Sequence, residues 1–147
     1  MKHLQFTSKK IENLIGLKSN TLHYYIKSGA LVPEIDKGEG TGHTRLFSPK
    51  NFLEAHIIKS MINFGYSKNI ILKVLKAIGK LKEWQKIKTK QDTRGYIIFY
   101  FCNNEIVCDF IKDKKQFSMV NRKEKWFLSI INLSMLARGD KLCRTLG

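Results

Sequence analysis

The chain is 147 residues long and carries 27 Lys and Arg against 12 Asp and Glu, a formal net charge of +15 at pH 7, with 43 % apolar and 11 % aromatic residues. That length allows one ordinary domain or two small modules. The apolar fraction is too high for a disordered polyelectrolyte, and the charge suits a polyanionic partner. Residues Met1 to Lys10 contain no apolar core of a signal sequence, and no later apolar run approaches the roughly 18 residues that span a bilayer. A cytoplasmic protein with no membrane contact is expected. Its three cysteines, Cys102, Cys108 and Cys143, are odd in number and fit no zinc spacing, which points to a reducing compartment.

Ser8 reads as the cap of a first helix with Ile11, Leu14 and Ile15 on one stripe, closed by Gly16. Ser19 then caps a second helix that buries Leu22, Tyr25 and Ile26 and stops at Ser28-Gly29. Two short helices across a tight turn form a helix-turn-helix. The segment from Leu31 to Phe47, with glycines at 38, 40 and 42, reads as a β-hairpin with a flexible tip. Ser48-Pro49 starts a third helix with Phe52, Ala55, Ile58 and Ile62 in phase. Gly65-Tyr66 breaks it, and Ser67 caps a fourth helix carrying Ile70, Ile71, Val74, Leu75 and Ile78.

Lys73 to Arg94 is a strongly basic stretch that reads equally as a solvated face or a DNA clamp. Beyond it the pattern turns to β. Tyr96–Cys102 and Glu105–Ile111 flank Asn103-Asn104 as a hairpin. One face holds Ile97, Phe99, Phe101, Ile106, Cys108 and Phe110; the other, a mixed outer side, holds Cys102 and Asp109, so Cys102 and Cys108 face opposite ways. Gln116–Val120 and Lys125–Ile131 read as a second hairpin, and Leu133 to about Leu142 as a closing helix, although Trp126, Ile130, Leu133 and Ala137 also fit one helix starting earlier. The fold class expected is α+β: a winged helix-turn-helix of four helices plus a wing hairpin over residues 1–80, a basic linker or short helix over 81–94, and a small antiparallel β-meander with a C-terminal helix over 95–147.

With Leu22 and Tyr25 turned inward, Asn20, Thr21, His23, Tyr24 and Lys27 lie on or beside the outer face of the second helix. These residue types suit a DNA groove, since Asn can bond adenine twice, Thr offers a hydroxyl and a methyl, and Tyr and Lys reach phosphates. His43, Thr44 and Arg45 flank the wing tip, with Arg45 read as a phosphate contact.

Three blocks resemble the mercury-resistance regulator (MerR) family of bacterial transcription factors. Asn20-Thr21-Leu22-His23-Tyr24-Tyr25-Ile26-Lys27-Ser28-Gly29-Ala30-Leu31-Val32-Pro33 is similar to R-T-L-R-Y-Y-E-x-x-G-L-L-x-P. Arg45 to Phe52 matches the wing and next helix, and Gly65-Tyr66-Ser67 the following break. The resemblance implies that the second helix enters the major groove, that the wing touches the backbone or minor groove, and that a dimer bends and untwists promoter DNA. It implicates Thr21, His23 and Tyr24 in recognition, Arg45 in the wing, and Tyr66 with Lys68 at a second wing. His23 stands where the family usually has Arg, which exchanges a permanent cation for a pH-dependent one. Ile26 replaces the usual Glu, and a short Lys-rich stretch replaces the long dimerising helix.

The function expected is sequence-specific double-stranded DNA binding for transcription regulation by a nucleoid-associated homodimer joined through the C-terminal module. RNA polymerase is a candidate further partner. The alternatives are an excisionase-like factor that bends DNA, or a DNA-bound adaptor whose C-terminal module recruits a protein. No catalytic or metal-ligating pattern occurs, and no enzyme activity, metal or cofactor is expected.

Overall fold

The computed structural model describes residues 5–87, 95–102, 105–113, 115 and 126–132. It is a mixed helix and sheet structure with five helices and two antiparallel sheets among the described residues. The chain divides into two compact units, Met1–Ser67 and Lys68–Gly147.

The first unit opens with a strand not foreseen from the sequence, β1 (Phe6–Thr7), followed at once by α1 (Ser8–Ile15). The cap of α1 is Thr7 and not Ser8: its hydroxyl oxygen accepts from the Lys10 N–H at 3.2 Å, which satisfies one of the helix's unpaired donors. Ile11 and Ile15 are buried, and Gly16, at φ 78°, ends the helix by donating to the Glu12 carbonyl at 2.8 Å. In α2 (Ser19–Lys27) the cap position falls on Lys18, which offers no side-chain acceptor, so Ser19 lies inside the helix. Leu22 and Tyr25 are buried as expected, and Ile26 is half-buried.

The expected wing hairpin shrinks to a single bridge, Asp36 with Leu46. Strand β2 (Leu46–Phe47) instead pairs with β1, Phe6 opposite Phe47 and Thr7 opposite Leu46. The cause is Asn51. Its Oδ1 accepts from the Glu34 N–H at 3.0 Å and its Nδ2 donates to the Val32 carbonyl at 2.9 Å, so the backbone of residues 32–34 bonds a side chain where a ladder would have used it.

Helix α3 (Pro49–Asn63) starts on a capping box in which the Ser48 hydroxyl accepts from the Asn51 N–H and Asn51 Oδ1 accepts from the Ser48 N–H, both at 3.1 Å. It buries Phe52, Leu53, Ala55, Ile57, Ile58 and Met61, nearly all round, while Ile62, expected in the core, is exposed. A helix apolar on all sides belongs at the centre of a unit. Phe6 stacks on Phe52 with ring centroids 4.6 Å apart, which ties the N-terminal strand to this helix.

Tyr25 is wholly buried, and its hydroxyl has no hydrogen-bond partner among the described residues. Burial, and then the neighbouring Tyr24, push its phenol above the ordinary tyrosine range. A buried unpaired hydroxyl costs about 1–3 kcal/mol of desolvation. Tyr25→Phe is therefore expected to stabilise the protein by about 1 kcal/mol, read as a higher urea midpoint at unchanged slope; a lower midpoint overturns this account of the hydroxyl.

In the second unit α4 (Lys68–Gly79) buries Ile71, Val74, Leu75 and Ile78, and α5 (Lys82–Gln85) buries Trp84, with Ile87 buried just beyond it. Three antiparallel strands, β3 (Tyr96–Cys102), β4 (Glu105–Ile111) and β5 (Trp126–Asn132), form a sheet in the order β4-β3-β5. The β3–β4 register pairs Cys102 with Glu105 and Phe99 with Cys108, the register read from the sequence, so the two cysteines do lie on opposite faces. Cys108 packs under α4, its Sγ 4.0 Å from the Val74 carbonyl oxygen, and burial pushes the thiol up to about 12.

On β3 the outer side is buried too, Ile98 and Tyr100 nearly as fully as Ile97 and Phe99, while the mixed character of that face lies on β4, where Glu105 is exposed and Asp109 half-buried. A strand apolar at nearly every position is what a two-sided burial requires. The Tyr100 hydroxyl donates to Asp109 at 2.5 Å across the β3–β4 pair; burial first, and this bond second, raise its phenol far above the ordinary value. Because β5 is a strand, the reading of one helix beginning at Trp126 is overturned. The strand expected at Gln116–Val120, the C-terminal helix expected at Leu133 to Leu142, Lys88 to Arg94 and Cys143 lie outside the described residues.

Candidate nucleic-acid interface

Burial of Leu22 and Tyr25 turns Asn20, His23, Tyr24 and Lys27 outward, at the i, i+3, i+4, i+7 spacing of a single helical stripe, and all four are exposed. Thr21, one residue off that stripe, is half-buried at its margin. The Tyr24 ring stands edge-on to Tyr25, centroids 5.1 Å apart and planes at 86°, so a core side chain orients a surface one.

An open groove of about 440 Å³ runs beside this helix. It is lined by His23, Ile26 and Lys27 from α2, by Val32 and Pro33 after it, and by Lys37, Glu39 and Arg45 from the wing. Three permanent cations and one carboxylate thus meet there, a net excess of positive charge beside an exposed helix face. Of the residues singled out from the sequence, the groove brings together His23, Lys27 and Arg45. Asn20, Thr21 and Tyr24 share α2 without lining it, and the exposed His43 and Thr44 are likewise outside its lining. Tyr66 is half-buried near the end of the first unit, and Lys68 is the exposed first residue of α4 in the second.

The wing carries its own local order. Asp36 Oδ1 accepts from the Gly38 N–H at 2.8 Å, a turn that Asp favours. Gly38 has φ +68°, and a Cβ placed on it would lie 2.8 Å from Arg45 Cγ and 3.0 Å from the Arg45 backbone nitrogen. Only glycine lets the chain pass this close to Arg45. Lys37, which sequence reasoning passed over, belongs to the same turn, and the D-x-G spacing at residues 36–38 was the available signal.

Lys50 and Asn51, both in the first turn of α3, tie that turn to the segment before it. Lys50 Nζ pairs with Glu34 Oε1 at 2.7 Å, the Ser48 hydroxyl donates to Glu34 Oε2 at 2.5 Å, and Asn51 is 1 % exposed. These bonds clamp the segment leaving α2 onto the start of α3, which fixes the groove's floor.

Residues 6–78 match a family model described as MerR HTH family regulatory protein. The helix-turn-helix of α1 and α2 with its following wing and α3 is a MerR-type regulatory domain, and through it the chain belongs to the MerR family of DNA-binding transcription regulators. No curated protein matches the chain. Among the described residues, no helix is long and apolar enough to cross a membrane, and no group of three or more His, Cys, Asp or Glu could hold a metal ion.

Proposed function

We propose that the protein is a sequence-specific double-stranded DNA-binding transcription regulator that works as a homodimer. The observation that carries this reading is the exposed stripe of Asn20, His23, Tyr24 and Lys27 on a helix whose opposite side is locked in the core. In this reading the stripe, with Thr21 at its margin, enters the major groove, where Asn20 and His23 meet base edges and Lys27 meets phosphate. Arg45 and Lys37 grip the backbone beside it, with His43 and Thr44 further along the wing and Tyr66 and Lys68 at a second wing. Residues 1–80 then act as the DNA-binding part and residues 95–147 as a dimerisation or sensing module, in a nucleoid-associated cytoplasmic protein with RNA polymerase as a further partner. The chain catalyses no reaction in this scheme.

The test is selection of bound sequences from a random duplex pool at near-physiological salt with excess non-specific competitor. A motif with two-fold symmetry is the expected result, since a symmetric dimer places its two recognition helices on two half-sites about one DNA turn, roughly 34–36 Å, apart. Directly repeated sites overturn the dimeric regulator in favour of an excisionase-like DNA-bending factor. No enrichment overturns sequence-specific recognition altogether.

A further inference from the structure

The charge of the chain is unevenly placed. Residues 1–67 contain nine Lys and Arg against five Asp and Glu, a net of +4, whereas residues 68–147 contain eighteen against seven, a net of +11. The unit that holds the helix-turn-helix is therefore the less basic of the two, and sequence reading by α2 does not use most of the positive charge.

Part of that charge is organised. On α4, Lys73 and Lys76 are exposed, with the exposed Lys80 in the turn just past the helix end, and the opposite side of the helix is fixed in the core by Ile71, Val74, Leu75 and Ile78. The three lysines rim an open groove of about 520 Å³ whose far wall is the first half of β4, and its floor is aliphatic, from Ala77, Leu81 and Val107. Among the described residues none of the three ammonium groups pairs with a carboxylate. Their backbone positions span about 10 Å at 1.5 Å per residue, which corresponds to about three phosphates at the 3.4 Å axial spacing of one DNA strand. A second copy of this chain, at +15, is repelled from such a rim, and a neutral apolar ligand leaves its charge unanswered.

We propose that the groove between α4 and β4 is a phosphate-binding track that grips the backbone of duplex DNA without regard to sequence, a proposal that rests on reading the chain as a DNA-binding regulator. Lys73, Lys76 and Lys80 act as point charges on successive phosphates and release the counterions condensed there, and the aliphatic floor keeps their stems extended. Glu105, at the groove's β4 end, repels phosphate and bounds the track on that side.

The experiment measures binding of the full chain to a duplex of arbitrary sequence as a function of salt, because non-specific binding isolates the phosphate contacts. Lys73→Gln/Lys76→Gln/Lys80→Gln is compared with a charge-matched control, Lys9→Gln/Lys82→Gln/Lys86→Gln, drawn from other exposed lysines. Glutamine keeps helix propensity at exposed sites, so both variants fold. The groove variant is expected to flatten the log–log salt slope by about 2 to 3, near 0.9 for each lost phosphate contact, and to bind about tenfold or more weakly at the lower salt concentrations. The control is expected to change the slope by less than about 1. Equal effects of the two variants, or no change in slope for the groove variant, overturn the proposal. The selection experiment judges the regulator reading separately: a wild-type chain that enriches no motif but keeps the slope difference loses sequence-specific regulation and retains the track, and the converse result does the reverse.

Discussion

Asn51→Ala is expected to lower the stability of the protein by about 2–4 kcal/mol, the largest cost predicted for any single side chain in the first unit. Asn51 uses both ends of its amide. Oδ1 accepts from the Glu34 and Ser48 N–H groups at 3.0 and 3.1 Å, and Nδ2 donates to the Val32 carbonyl at 2.9 Å and to Glu54 Oε2 at 3.1 Å. At 1 % exposure the side chain has almost no water to share these duties. Truncation leaves two backbone donors and one backbone acceptor short of a partner, and the cost of an orphaned buried group exceeds the net worth of the bond it made. Urea unfolding is the check: the midpoint falls while the slope holds. Asn51→Asp sharpens the argument. It keeps both acceptors and adds negative charge at the N-terminus of α3, which the helix favours, but it loses the donors to Val32 and faces the Glu54 carboxylate. Its stability is expected to lie between those of the wild type and Asn51→Ala. A wild-type midpoint for Asn51→Ala overturns the clamp.

The same residue shows where sequence reasoning stops. Helix spacing alone identified Leu22 and Tyr25 as core and thereby oriented the exposed face of α2, because a 3.6-residue period is a local property. The β3–β4 register was legible for a like reason: a hairpin with a short connection leaves little choice of pairing. Asn51 was not legible, since a polar residue in a first turn ordinarily meets solvent. Its burial depends on residues 32–34 folding over it from 17 to 19 positions away. Strand β1 is two residues long and has no periodicity to read; its partners lie about 40 residues downstream. Missing β1 and Asn51 together produced the overlong wing hairpin. Of the candidate interface, the residues on α2 were legible from their side of the helix, whereas the company that Lys37 keeps with Arg45 and Lys27 comes from a loop path that no period encodes.

Arg45→Ala is expected to weaken binding to every duplex sequence alike and to flatten the salt slope by about 1, the mark of one lost phosphate contact. Arg45 lies in the groove beside α2 and is half-buried, so part of its conformational freedom is already spent before DNA arrives. Gly38→Ala is expected to act in the same direction without removing any charge. The new Cβ meets Arg45 Cγ at 2.8 Å in a backbone conformation, φ +68°, that alanine adopts only under strain, so the wing must shift and carry the guanidinium with it. His23→Ala provides the contrast. As an exposed residue on the stripe proposed to read bases, it is expected to alter which sequence is preferred, by about 1–3 kcal/mol at a base edge, while leaving non-specific affinity nearly unchanged. Titrations of the three variants against the selected motif, a single-base variant of it and an unrelated duplex, each at several salt concentrations, separate the two behaviours. A change of preference with an unaltered salt slope for Arg45→Ala places that residue on a base and not on the backbone. A uniform loss for His23→Ala removes it from the reading face, and recognition then falls to Asn20, Thr21 and Tyr24.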